Sequence, residues 1–256
     1  MYKILANTLF IGKKLVFVPE CHSTNSIALE LSQKKDLLEG TILITDHQSR
    51  GRGQQGNAWI SEPGKNLTFS IVLKPSFLAI KDQFLLNMVV SLGVRDYVQT
   101  KLPTPVFVKW PNDVLVEEQK VCGILIENQI QGAGFTNSII GIGLNVNQQG
   151  FHLNNAVSLI IVSGQNYELQ GALEELCGHL EKWYLTLKQN GSDRVREYYL
   201  NALFGLGERR IFKSKEREFW GVIEGVDDHG RLMIKENGKT HHFNNKEVQF
   251  NFEPLK

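Results

Sequence analysis

The sequence predicts an α+β domain over residues 1–203 followed by a compact all-β domain over 204–256. Three observations carry that division. Between residues 41 and 144, short apolar runs of strand length surround one long helical pattern. Around residues 169–187 apolar side chains recur at helical spacing. After about Phe204, five short β-like segments follow one another, separated by turn residues.

Taken in order, Leu15, Phe17 and their neighbours are β-like. Residues 23–35 read as a helix, because Ser23, Thr24 and Asn25 suit its N-terminus and Ile27, Ala28, Leu29 and Leu31 give it an apolar side. Residues 41–45 are a buried strand. Residues 67–73 alternate, with Leu67, Phe69, Ile71 and Leu73 on one face. Phe84, Leu85, Met88, Val89 and Leu92 define a core helix over about 82–100. A short strand over 106–109 precedes a hairpin of 114–116 and 121–127, whose tip is 117–119. Residues 138–144 form another buried strand. The helix of 169–187 ends at Asn190-Gly191. The terminal segments are 209–212, 219–226, 232–235, 240–243 and 248–251, with Asp228-His229-Gly230 and Asn237-Gly238 as turns. Five strands in so few residues suit a small barrel.

Lys plus Arg is 28 and Asp plus Glu is 27, so a general polyanion binder is not expected. The three cysteines are far apart and lie at no metal-ligand spacing, which favours a reducing compartment. With no leader pattern and no membrane-length apolar run, a cytoplasmic location is expected.

Gly51-Arg52-Gly53-Gln54-Gln55-Gly56 matches G-x-G-x-x-G. A dinucleotide loop should open a helix and be followed by an acid about 20 residues on. Neither holds: Trp59, Pro63 and Gly64 follow the loop, and 71–76 carry no acid. No HRD or DFG segment supports a kinase. A plain flexible loop remains open, beside a loop whose backbone wraps a polar ligand with Arg52 as a fixed cation.

Lys109-Trp110-Pro111-Asn112-Asp113 lies where a strand leaves the core. Asn112 offers an amide, Asp113 an oxygen ligand for Mg²⁺, and Lys109 a phosphate partner. Lys120 lies across the hairpin from Asp113, so both could face one pocket that handles phosphate charge. An ion-paired surface turn would look the same. Gly141-Ile142-Gly143-Leu144-Asn145 ends a buried strand, where glycines let a ring lie close and Asn145 projects an amide; small residues for packing are the plain alternative. Ser23-Thr24-Asn25 is a helix cap by default, yet its hydroxyls could meet a polar ligand.

The order and spacing of these motifs are more specific than any one of them. Ser23-Thr24-Asn25, Gln48 with Gly51-Arg52-Gly53, Trp59, Lys109 to Asp113, Lys120 with Gly123-Ile124-Leu125, and Gly143-Leu144-Asn145 together resemble the biotin–protein ligases. The resemblance implies a mixed-sheet catalytic domain of the class II synthetase-like type and an SH3-like terminal domain. It implies ATP and Mg²⁺, with biotin as substrate, and formation of biotinyl-5′-AMP before transfer to a lysine of a biotin carboxyl carrier protein. By the same resemblance Ser23, Thr24, Asn25, Gln48, Gly51 and Gly123 surround biotin. Arg52 and Lys120 bind its carboxylate and the α-phosphate and are the catalytic pair. Trp59, Lys109, Asn112 and Asn145 are the implied nucleotide contacts, Trp59 packing against the adenine or else the biotin tail, and Asp113 meets the metal. Relatives often carry a more basic glycine loop; here Gln54 and Asn57 stand where arginine is common. About 20 β-like residues precede Ser23, so the short type without a DNA-binding domain is expected, with no DNA or membrane partner. A homodimer is left open.

The nearest rival is a lipoate or octanoate ligase or transferase of the same fold. The hydroxyl and amide groups of Ser23, Thr24 and Gln48 favour a ureido head instead. A non-catalytic RNA- or peptide-binding module is a different class. Lys213, Lys215, Arg217, Lys235 and Lys239 would serve it, but Glu216, Glu218, Glu224, Asp227 and Asp228 dilute their charge. Adjacent His241 and His242 point to opposite faces of a strand, so a metal site there is not expected.

Overall fold

The computed structural model describes residues 2–34, 36–151 and 155–251, without the side chain of Gln55. The larger sheet contains β1 (Leu15–Cys21), β2 (Ile42–Gln48), β3 (Leu67–Leu73), β4 (Val106–Lys109), β5 (Asp113–Val116), β6 (Gln119–Gln131) and β7 (Gly134–Leu144). Their spatial order is β1-β2-β3-β7-β6-β5-β4. β1 and β2 are parallel and the other neighbours antiparallel, so the sheet is mixed, as expected. Among the described residues five α-helices accompany it: α1 (Thr24–Lys34), α2 (Phe84–Lys101), α3 (Leu159–Ser163), α4 (Leu169–Lys188) and α5 (Ser192–Asn201).

The two faces of this sheet are covered differently. Leu67, Phe69, Ile71, Ile140 and Ile142 join the core formed with α2 and α4. Val72, Leu43 and Ile139 pack with Ala28 of α1 on the opposite face. β3 is therefore buried along its whole length rather than on alternate residues, because α1 covers the face where Ser70 and Val72 point. α2 and α4 approach closely where Gly93 meets Leu180; a methyl at Gly93 would fall 2.8 Å from a Leu180 methyl carbon. The first residues are pinned to α4 by a buried carboxylate: Glu181 accepts the N–H groups of Leu9, Phe10 and Ile11 at 2.6, 2.8 and 2.9 Å. Those bonds make a carboxyl group tolerable at 5% exposure.

Two differences from the sequence expectation stand out. β6 and β7 extend beyond 121–127 and 138–144 as a long ribbon. The helix α5 was not expected, although Val195 and Tyr199, both buried and four residues apart, mark its inner face. Position 35, the last of the helix expected over 23–35, lies outside the described residues, as do 252–256 of the terminal domain.

The second sheet contains β8 (Arg209–Ser214), β9 (Glu218–Val226), β10 (Leu232–Glu236), β11 (Lys239–Phe243) and β12 (Val248–Phe250), all antiparallel, in the order β11-β10-β9-β8-β12. The arrangement agrees with the expected SH3-like domain. It is continuous with the main core: Phe212, Ile223, Leu232 and Ile234 belong to the same buried cluster as α2. The connecting segment is itself docked, since Val108 donates to Ala202 and Phe204 donates to Val108, both at 2.8 Å. Two basic residues of this domain are paired with carboxylates beside them. Arg217 makes two 2.6 Å bonds to Glu236, and Lys235 lies 3.1 Å from Glu224.

Asp227 organises the β9–β10 turn. It accepts the N–H groups of His229 and Arg231 at 3.0 and 2.9 Å, the Arg231 guanidinium at 2.8 Å, and faces His242 Nδ1 at 2.8 Å. Burial alone would raise its pKa, but these bonds outweigh burial and bring it down to about 2. The folded value lies below the unfolded one. The stabilisation is thus complete above the ordinary value of 3.8 and is lost as pH falls through about 2. Asp227→Asn is expected to remove roughly 1–2 kcal/mol at neutral pH, allowing for solvent screening at the half-exposed partners. Chemical denaturation at pH 7 and pH 2 checks this: the variant should differ from the parent at the first pH and converge on it at the second.

Candidate functional site

A single register row crosses the sheet from Thr45 through Thr68, Gly143, Gly123 and Asp113 to Lys109. Directly paired residues present their side chains to one face. The row therefore places polar groups at its ends and two glycines in its middle. Gly141, one row further, is paired with Ser70 and Leu125. Without Cβ atoms these glycines leave a trough on the sheet. The Trp59 indole fills one part of it, so a methyl at Gly143 would overlap the ring. Asn25 fills the next, and a methyl at Gly141 would overlap its amide. The Trp59 indole N–H is a buried donor with no partner among the described residues. Such a group costs about 1–3 kcal/mol, which a bound polar acceptor would recover.

A chain of polar contacts runs along the trough. Gln48 Oε1 accepts the Thr24 N–H at 2.8 Å and faces its hydroxyl at 3.2 Å. Ser70 Oγ lies 2.7 Å from Thr24 Oγ1 and 2.6 Å from Asn25 Oδ1. The Asn25 amide donates to Glu127 at 2.8 Å, and Glu127 receives Arg52 Nη2 at 2.6 Å. The start of α1 holds this chain in place, since the Ser23 carbonyl accepts the Ile27 N–H at 3.1 Å. Ser70 and Glu127 escaped the sequence reading. Ser70 had a signal, a hydroxyl within a mostly apolar strand, but nothing local to say which face it occupied.

At the far end, Lys120 Nζ lies 2.6 Å from Asp113 Oδ1 and 5.7 Å from the centre of the Trp59 ring. The Lys120 backbone is fixed by bonds to Asn155 at 2.7 Å and Val157 at 3.0 Å. Lys109 is more deeply placed; burial pushes its pKa down, against the upward pull of Asp113, and Lys120 lowers it further. Two ammonium groups around one carboxylate leave net positive charge where phosphate charge could be received. Asn112 donates its amide to the Ile124 carbonyl. Trp110 serves a purpose the sequence did not suggest. Its indole N–H donates at 2.8 Å to the Gly230 carbonyl, joining this turn to the second sheet. The Trp110–Pro111 peptide is cis.

These elements enclose a cleft of about 400 Å³, within the range of small-molecule sites. Ser23, Thr24, Asn25 and Gln48 line one end. Arg52, Trp59 and Gly123 line the middle. Lys109, Asn112, Asp113 and Lys120 line the other end. The second sheet adds Asn245, Lys246 and Phe250, which sequence reasoning left out. Lys109 Nζ stands 5.6 Å from the Phe250 ring centre.

Two expected residues sit elsewhere. Asn145 is buried, and its amide donates to the Val157 carbonyl at 3.0 Å and approaches that of Lys120 at 3.5 Å. It ties the segment after residue 155 to the strand end and does not line the cleft. Gly51 also lies off the cleft wall. Its carbonyl accepts the Trp59 N–H at 2.9 Å, and a side chain there would run into the Trp59 carbonyl, so this glycine lets the loop close.

One carboxylate, Asp113, faces the cationic end, and no group of three His, Cys, Asp or Glu gathers as a metal cage among the described residues. That donor set fits a Mg²⁺ that arrives on nucleotide phosphates and takes a single protein carboxylate.

Comparison with known proteins agrees with this architecture. The model of the biotin/lipoate A/B protein ligase family matches residues 18–145, half of the chain. The bifunctional ligase/repressor BirA of Bacillus spizizenii is 28% identical over 233 residues, covering 89% of this chain and 71% of that protein. The biotin–[acetyl-CoA-carboxylase] ligase of Paracoccus denitrificans is 29% identical over 221 residues, covering 83% and 90%. The solved biotin protein ligase of Aquifex aeolicus, in complex with biotin and ATP, superposes with a TM-score of 0.78 at 24% identity, over 93% of this chain and all of that one. The likeness in fold spans both sheets, and the family match takes in the α1 start, the glycine loop and the Lys109–Asp113 turn. The chain belongs to the biotin/lipoate A/B protein ligase family.

Proposed function

We propose that this chain is a biotin–protein ligase that makes biotinyl-5′-AMP from biotin and ATP and passes the biotinyl group to a lysine of a biotin carboxyl carrier protein. The single observation that carries biotin over lipoate is the polar end of the trough. Gln48, Thr24, Ser70 and Asn25 form one hydrogen-bonded group there, half-buried or buried. A ureido head offers donors and acceptors to such a group. An alkyl or dithiolane tail offers no donor or acceptor to it, and polar sites discriminate strongly against ligands that lack the matching polar groups.

In the first step the biotin carboxylate attacks the α-phosphorus of ATP, and pyrophosphate leaves. Two anions must approach, so the cations decide the rate. Lys120 and Arg52 receive the carboxylate and the α-phosphate, while Lys109 adds charge from the buried side. Asn112 and Trp59 hold the nucleotide side of the cleft. Asp113 would hold the Mg²⁺, which supplies neutralisation of phosphate charge when bound. In the second step the lysine amine attacks the acyl carbon of the anhydride, AMP leaves, and the amine loses a proton. The buried free thiols of Cys21, Cys122 and Cys177 suit the cytoplasm.

Biotin-dependent exchange of label between pyrophosphate and ATP tests the reading. Exchange is expected with biotin and not with lipoate or octanoate. Exchange with the latter two alone would assign the other branch of the family. No exchange with any of them would leave a binding module.

A further inference from the structure

Gln54 stands on the glycine loop, and its side chain is engaged by the terminal domain: the Asn245 amide donates to Gln54 Oε1. We propose that Asn245 is a positioning residue that clasps the glycine loop to the terminal domain through Gln54, and so governs how long the cleft retains the adenylate. The inference rests on the ligase reading above.

Both partners are built to hold still. Asn245 lies in the tight turn between β11 and β12. The Glu247 carboxylate accepts the Asn244 N–H at 2.6 Å, the Glu247 N–H donates to Asn244 at 3.0 Å, and Lys246 takes a left-handed φ of 68°. The bonds from Asn244 hold the Glu247 carboxyl below its ordinary pKa, so the turn keeps its brace at neutral pH. Across the cleft, the glycine loop is closed on itself. Gly53 donates to Asn57 at 2.6 Å, Trp59 donates to Gly51 at 2.9 Å, and Arg52 bridges to Ala58. It should thus move as one body, carrying Arg52 at its start and Trp59 at its end. Among the described residues two side-chain bonds anchor that body: Arg52 to Glu127 on the sheet, and Gln54 to Asn245 on the terminal domain. A ligand carboxylate or phosphate competes with Glu127 for Arg52. The neutral amide pair does not compete for charge, so it can persist with the site filled.

The terminal domain is a firm support for such a clasp. Trp110 donates to Gly230, and Gly230 packs against Phe84 so closely that a methyl there would fall 2.5 Å from the ring. The core is continuous across the two sheets.

The test uses the full chain as Asn245→Ala, Gln54→Ala and the double variant. Hydrogen exchange of residues 50–58 is followed without ligand, and loss of preformed biotinyl-5′-AMP is followed by dilution and filtration. Each single variant is expected to lose protection in the loop while the thermal midpoint stays near the parent's, and to release the adenylate about tenfold faster, the scale of one hydrogen bond. The double variant should match either single one, because the second substitution finds the clasp already open. Unchanged loop exchange in Asn245→Ala, or effects that multiply in the double variant, would overturn the proposal. The ligand-free measurement needs no substrate, and the parent's biotin-dependent exchange is read separately. A failed clasp and a failed ligase reading are therefore told apart.

Discussion

Lys120→Ala is expected to slow biotin-dependent pyrophosphate exchange by about 10²–10³-fold, the usual cost of removing one charge-stabilising donor from a reacting centre. The side chain has a fixed origin, with its backbone bonded to Asn155 and Val157, and its ammonium already rests against Asp113 at 2.6 Å. It is about one-third exposed, so its ion pair should contribute no more than about 1 kcal/mol to folding. The variant should consequently melt within a few degrees of the parent. Lys120→Arg keeps the charge but changes its shape, and should recover only part of the rate. A parent-like rate in Lys120→Ala would remove Lys120 from the reaction. A collapsed melting point would show that it holds the fold instead.

Gly143→Ala is expected to have a comparable effect for a steric reason. The added methyl would occupy the position of the Trp59 indole, the side chain that covers this part of the trough. The ring must leave, and with it goes the wall of the trough that the proposed ligase reading assigns to the nucleotide side. Misplacing a substrate by about 1 Å costs on the order of 10²-fold, and that loss is expected in kcat/KM for ATP. Because the methyl meets a side chain rather than backbone, the strand should accept it with modest loss of stability. Steady-state exchange kinetics at varied ATP, beside a thermal melt, checks both halves. Normal kcat/KM would mean that the trough is not where the nucleotide lies.

Much of this site was legible in the sequence. The residues from Lys109 to Asp113 sit where strand β4 ends and β5 begins, as their pattern suggested, and Asp113 does face Lys120. The spacing of Gly141 and Gly143 placed both on one face of β7, which makes the trough possible. Other assignments could not be read that way. Asn145 and Asn112 look alike in sequence, each an amide where a strand meets a turn, yet only Asn112 lines the cleft. What separates them is the segment around Val157, whose carbonyl captures Asn145. The helix α5 was missed because polar residues outnumber its two buried contacts, Val195 and Tyr199.

By itself the sequence indicated most of the elements, a mixed sheet followed by a separate small β sheet, the polar and cationic residues that could serve the chemistry, and the glycines that leave room for a ligand. Those are local properties, carried by periodicity and by the conformational limits of each residue type. Only the tertiary structure decided the partners. Arg52 meets Glu127 from 75 residues away, Gln54 meets Asn245 from 191 away, and Trp110 meets Gly230 from 120 away. Spacing along a chain tells which side of its own element a residue faces. Which distant group stands opposite depends on how the sheets and helices pack, and that packing turns a set of candidate residues into one cleft with two walls.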